Sequence, residues 1–367
     1  MMGLGCCSTA AARGIASLTV ALVVTSCTPD APSSPDPGPG FRSRVVARVV
    51  GSPSLPPRAA RPVRRIVVPI TPVDIMPKRW REVFVVPYGS GHEELGTSRG
   101  GERGTPVQYG PEYGAPAPDG SWWFLDVDKL RLAHYDAGGG FLEAVRVPTR
   151  LLVDGDAFQW TLPHVLSDGT VVAFRLSAET DDGAMLRLRD GVLDEVPLTA
   201  MFSPTYDDGT LLYGTVAGRA GLVTVDQDSG EVNPVPAYRL PSGAAFTVED
   251  DFDRGVVRVD TATGSVRLAT ESPSGSTAHM GVQVRAGADD SLHLYLLGTS
   301  DDRSSTRLVG YLRIGRSGGI TRLEPLASPD SSADRGSPAQ LVVAPAASIP
   351  MLVYVMPDGV HVYRRTG

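Results

Sequence analysis

Recurrent Asp-Gly turns, short runs of alternating apolar residues and the absence of any sustained 3.6-residue apolar stripe predict an all-β chain folded as a six-bladed β-propeller. The 367 residues include 41 glycines and 31 prolines that punctuate the apolar runs, which favours many short elements over long helices. A hydrophobic content of 42% is ample for a large core. The expected organisation is a signal peptide over residues 1–26, a Pro/Arg-rich tether over 27–63 and the propeller over 64–367.

The clearest blade runs from Tyr113 to Pro148. Residues 114–118 (GAPAP) read as a short inner strand, and Asp119-Gly120 as a turn. Ser121 to Val127 (SWWFLDV), Asp128 to Asp136 (DKLRLAHYD) and Phe141 to Val147 (FLEAVRV) supply the next three strands. Four strands in about 35 residues is the size of one blade.

Five further units follow. His164 to Leu198 carries Asp168-Gly169 and the runs VVAFRL, MLRLRD and DEVPL, and Phe202 to Val235 carries Asp208-Gly209, TLLYGTV and GLVTVD. Residues 244–270 hold FTVEDD, GVVRVD and SVRLAT without a clear inner strand. Gly281 to Leu326 and Gln340 to Arg365 complete the set. The 287 residues from Arg81 onward, divided among six units, give about 48 each, within the range for a blade. The last unit lacks a fourth strand, whereas Glu82 to Pro87 (EVFVVP) is spare at the front. This strand is predicted to complete the last blade and close the ring, because an open ring would leave sheet edges unpaired.

The first unit resembles an NHL repeat. Asp119-Gly120, Trp123-Phe124-Leu125-Asp126, Arg131-Leu132, Tyr135-Asp136 and Gly140 match that family's turn, aromatic strand, aromatic-Asp and Gly positions. Lys129-Leu130 replaces the usual Asn-His, so the eponymous residues are absent. The resemblance implies a propeller that acts as a binding or scaffold module for a protein, peptide or glycan.

The N-terminus has the parts of an export signal. Arg13 is the only charge before Asp30, Gly14 to Val24 is a short apolar stretch, and Val24-Thr25-Ser26-Cys27 ends it. A spanning helix needs about 20 apolar residues, more than this stretch supplies. Its last four residues resemble the bacterial lipobox, which implies cleavage between Ser26 and Cys27 and a lipid on Cys27. The expected location is the outer face of a cell membrane, lipid-anchored. All three cysteines lie at or before residue 27, so the cleaved chain would have no disulfide and no Cys-based site. Thr28 to Gly40 is a Pro-, Ser- and Gly-rich linker. Phe41 to Arg65 carries seven arginines and no acid, and reads either as a solvated linker or as a basic collar against anionic lipid.

The formal net charge of −7 argues against a nucleic-acid partner, and a monomer is expected. No two of the six histidines are spaced as a local metal pair. His134, His293 and His361 fall inside predicted strands, where packing is their expected role. His164, four residues before Asp168, is placed at the mouth or inner strand of its blade, where it would face the central channel. The polar segment Gly89 to Gln108, with His92, Glu93 and Glu94, is the candidate binding loop. Trp122 and Trp123 read as core between blades. The alternative to a binding module is a metal-dependent propeller hydrolase or lyase resembling gluconolactonase, with Ca²⁺ held in the channel. Paired carboxylates such as Asp207-Asp208 and Asp289-Asp290 read mostly as turn residues, and Asn233 is the only asparagine, so such a site is poorly supplied and no cofactor is expected.

Overall fold

The computed structural model describes residues 63–69, 77–96, 98–100, 107–109, 114–148, 158–177, 183–216, 221–271, 278–300, 307–326, 340–344, 348–356 and 358–366. The signal, Ser26, Cys27 and the tether up to residue 62 lie outside the described residues.

Six small sheets form the blades of a six-bladed propeller. Blade 1 comprises Gly114–Pro116, Trp122–Asp126, Arg131–Tyr135 and Phe141–Arg146. Blade 2 comprises His164–Val165, Val171–Ser177, Gly183–Arg189 and Val192–Leu198. Blade 3 is built from Phe202–Asp207, Leu212–Val216, Leu222–Val225 and Val232–Val235. Blade 4 is built from Tyr238–Arg239, Ala245–Asp251, Val256–Thr261 and Gly264–Glu271. Ala278–Ala286, Leu292–Ser300, Arg307–Ile314 and Glu324–Leu326 make blade 5.

Blade 6 draws on both ends of the described chain. Gln340–Ala344, Ile349–Met356 and Gly359–Arg365 supply its first strands, and Trp80–Pro87 lies antiparallel to Gly359–Arg365 as the fourth. Val85 pairs with His361 and Val86 with Val360, so the ring closes through the N-terminal strand as the sequence predicts. Blade 4 differs from expectation at both edges. Its inner strand has only two residues, too short to show an alternating pattern. Its outer edge gains a fifth strand, Val63–Pro69, which runs parallel to Gly264–Glu271 and buries Val68 completely.

Successive strand residues point to opposite faces, and in a propeller each face meets a different neighbouring blade. Trp122 packs with Phe84, Val353 and Val360 of blade 6, while Trp123 packs with Val165, Val171 and Leu186 of blade 2. Val171 faces blade 1 and Val172 faces Phe202 and Leu212 of blade 3. Leu352 joins Tyr295 and Tyr311 of blade 5, and Val353 turns back toward blade 1. Burial on both faces explains why WWFL, VVAF and LHLYLL are continuous apolar runs.

The strand histidines serve packing. His134 stacks on Trp123 with ring centroids 4.1 Å apart. His293 bonds Ser291 and Tyr311, and His361 bonds Glu82 and Asp358.

Candidate functional site

All six blades contribute to one cavity of about 280 Å³, which therefore lies on the axis of the ring. Ala115 and Pro116 come from blade 1, His164 and Val165 from blade 2, and Asp207 to Thr210 from blade 3. Pro241 follows the inner strand of blade 4, Arg285 and Ala286 end that of blade 5, and Gln340 and Val342 belong to blade 6. Small and apolar residues make up much of the wall, and His164, Asp207, Arg285 and Gln340 are among the polar side chains set into it.

His164 is 4% exposed, and its Nδ1 lies 2.8 Å from Asp207 Oδ2. Asp207 in turn accepts the Gly209 N–H on its other oxygen at 3.3 Å. Gly209 has φ +84°, a conformation that suits glycine and lets the turn fold its N–H back onto Asp207. Burial works against a charged Asp207, but the His164 hydrogen bond, the Arg285 charge and the Gly209 N–H outweigh it and hold the carboxyl below its usual range. An ionised carboxylate only accepts, so Nδ1 of His164 carries a proton and donates it to Asp207; in the singly protonated ring Nε2 then keeps its lone pair. Nε2 is buried and has no partner among the described residues.

Arg285 reaches from blade 5 to blade 3. The two-residue inner strand of blade 4 lets the inner strands of blades 3 and 5 touch. A register shift between Pro204 and Tyr206 takes Thr205 out of the ladder, and its carbonyl oxygen accepts Arg285 NH1 at 2.8 Å. The same NH1 donates to Val284 O at 2.9 Å. The Nε and NH2 groups have no hydrogen-bond partner among the described residues. Burial moves the guanidinium down from its ordinary range and Asp207 opposes that shift; at neutral pH an arginine stays charged. Gln340 is 2% exposed, and its Oε1 also lacks a partner. A buried polar atom left without a partner costs about 1–3 kcal/mol.

The other candidates fall elsewhere. His92 and Glu93 are exposed and Glu94 half-buried, and none lines the axial cavity. Their loop is held by blade 1. Lys129 Nζ donates to the carbonyl oxygens of Gly91 and Glu94, both at 2.6 Å, and Arg131 NH1 donates to His92 O at 2.6 Å. The His92 ring meets Phe141 edge-on at 4.8 Å, and Glu94 turns back to accept the Gly91 N–H. The polar composition of Gly89 to Gly96 thus reflects a pinned turn at the blade 6–blade 1 junction; residues 97 and 101–106 of the segment lie outside the described residues.

Sequence reasoning found His164 and missed Asp207, Arg285 and Gln340. Two signals were available. Arg285 stands four residues before Asp289, the same offset that places His164 before Asp168 and Ala115 before Asp119, and all three line the cavity. Asp207 directly precedes the turn Asp208, as Ser167 precedes Asp168 and Ala288 precedes Asp289, and these too line it.

Among the described residues no three His, Cys, Asp or Glu side chains stand together as metal ligands. Asp208 spends its oxygens on the Thr210 and Leu211 N–H groups and the Tyr213 hydroxyl. One imidazole, one carboxylate and a guanidinium fit a hydrogen-bonded organic ligand better than a hard cation, which takes six or more oxygens.

Similarity to solved structures is low in sequence. A hydrazine synthase from Kuenenia stuttgartiensis shares 15% identity over 69% of this chain and 77% of its own, with a TM-score of 0.43. A streptogramin B lyase shares 12% over 69% and 92%, with a TM-score of 0.38. A protein from Lactobacillus plantarum shares 14% over 77% and 91%, with a TM-score of 0.39. Comparison with curated proteins gives no match. A family model does match, over residues 78–365 and hence the whole ring with its closing strand: the chain belongs to the family described as Domain of unknown function (DUF7485).

Proposed function

We propose that this chain is a membrane-anchored extracytoplasmic lipoprotein whose propeller is a binding module, taking a small polar ligand into its axial cavity. The observation that carries the binding half is the buried His164, oriented by Asp207 and left with an unpartnered Nε2, in a cavity to which every blade contributes. Preformed concave sites with a few convergent polar groups are the usual form of a small-molecule site. The orphan atoms keep their cost until a ligand satisfies them. The anchoring half rests on Val24-Thr25-Ser26-Cys27 and the apolar stretch before it.

Each half has its own test. Cys27→Ala should move the protein from the membrane fraction to the soluble one and abolish lipid labelling; unchanged membrane retention sinks the anchor. For the cavity, a small-molecule panel screened by thermal shift should give hits that Ala288→Trp, which fills the mouth of the cavity with an indole, removes. Hits that survive Ala288→Trp would place the ligand elsewhere.

A further inference from the structure

We infer that the channel ligand is a small hydroxy acid, its carboxylate taken by the Arg285 guanidinium and its hydroxyl groups donating to His164 Nε2 and Gln340 Oε1. This rests on the reading of the axial cavity as a binding site, and adds the chemistry of the occupant.

Complementarity carries the inference. His164 and Gln340 are each more than nine-tenths buried, and both line the cavity. Each has one buried side-chain atom without a partner among the described residues: Gln340 Oε1 is a carbonyl acceptor, and His164 Nε2 accepts in the singly protonated ring, whose proton Nδ1 holds toward Asp207. Two acceptors call for two donors, which hydroxyl groups supply. Arg285 is the opposite case. Only its NH1 is committed, to the carbonyl oxygens of Thr205 and Val284, so a positive charge with three free N–H bonds on Nε and NH2 remains in the cavity wall. The edge formed by Nε and NH2 is the fork that binds a carboxylate in two parallel hydrogen bonds.

Asp207 does not fill that role. It is turned to His164 and Gly209, and it makes no hydrogen bond to Arg285. Asp207 and Asp208 both line the cavity beside Arg285, so a single negative charge on the ligand suits the site better than a dianion such as phosphate. Size points the same way. A cavity of about 280 Å³ is at the lower end for ligand pockets, and Ala115, Ala286 and Ala288 leave room for a short carbon chain only.

The inference is tested on the full-length protein in detergent by isothermal titration with glycerate, acetate and glycerol. Chemical shifts of the His164 imidazole nitrogens are followed in parallel. Glycerate should bind at least tenfold more tightly than either acetate, which lacks the hydroxyls, or glycerol, which lacks the carboxylate, and should shift the His164 Nε2 resonance. This comparison needs no variant. Arg285→Lys keeps a charge but loses the fork and should weaken glycerate at least tenfold while leaving glycerol unchanged. His164→Phe should weaken glycerate while leaving acetate unchanged.

Glycerol binding as well as glycerate overturns the carboxylate assignment, and acetate binding as well as glycerate overturns the hydroxyl assignment. Absence of glycerate binding, or binding that leaves His164 Nε2 unmoved, overturns the inference as a whole. In each of these cases, panel hits that Ala288→Trp removes keep the cavity as a binding site for another chemistry, whereas hits that survive it reject the cavity reading too.

Discussion

Single residues in this ring divide into those whose polar atoms are all paired and those left open. His293 belongs to the first group: it sits 1% exposed between Ser291 Oγ at 3.0 Å and Tyr311 OH at 2.7 Å. Burial, helped by Arg313, pushes its pKa down to about 4. The unfolded chain takes up that proton near pH 6.5 and the folded one only near 4, so stability is full above 6.5 and falls as pH drops between the two values. The shift corresponds to roughly 3 kcal/mol. Urea unfolding at pH 7 and pH 4 should show that loss in the wild type and much less of it in His293→Gln. His164 belongs to the second group, and its place four residues before a turn Asp was legible in the sequence. Asp207 was legible as a turn residue but not as the partner of His164, because the two are 43 positions apart and only the ring brings them together. Gln340 had no turn Asp to register it, and its role was not legible at all.

At the scale of strands, two-faced burial makes the blades readable. Trp122 to Leu125 and Val171 to Phe174 are unbroken apolar runs because each face meets a different blade. The two-residue inner strand of blade 4 carries no such pattern, and Val63–Pro69 sits in an Arg-rich segment whose outward face hides its strand character: Val63 and Val67 are half-exposed while Val68 is buried. The closing strand was found because a fourth strand was missing elsewhere, and its energetics are now specific. Phe84 is 6% exposed and meets Trp122 edge-on at 5.5 Å, so Phe84→Ala should cost about 3–5 kcal/mol in urea unfolding. Val83, next to it but 43% exposed, should change stability by less than about 0.5 kcal/mol when cut to Ala. The same closure has a polar stitch, Glu82 Oε2 to His361 Nδ1 at 2.8 Å. Burial opposes a charged His361, but Glu82 and Asp358 outweigh it and raise its pKa above the ordinary value. A raised folded pKa contributes stability that is complete below about pH 6.5 and fades as pH climbs through the folded value. Glu82→Gln should therefore destabilise the protein more at pH 6 than at pH 9. An equal loss at both would show that the stitch carries no proton linkage.

The whole molecule is a ring sewn shut from its N-terminal side, with one axial cavity assembled from all six blades. Closure and cavity are linked. The strand Trp80–Pro87 completes blade 6, which supplies Gln340 and Val342 to the wall, so damage to the seam should disturb the site on the axis. The ring was legible from turn spacing and strand count. The composition of the cavity was not, because it depends on a register shift at Thr205 and on the short inner strand of blade 4, neither of which leaves a mark in local pattern. The central claim is that this cavity holds a ligand. It is tested most directly by native mass spectrometry of the protein released gently from its membrane, wild type beside Ala288→Trp. The account predicts a small bound mass on the wild type that is missing from Ala288→Trp; a bound mass that persists unchanged in Ala288→Trp would contradict it.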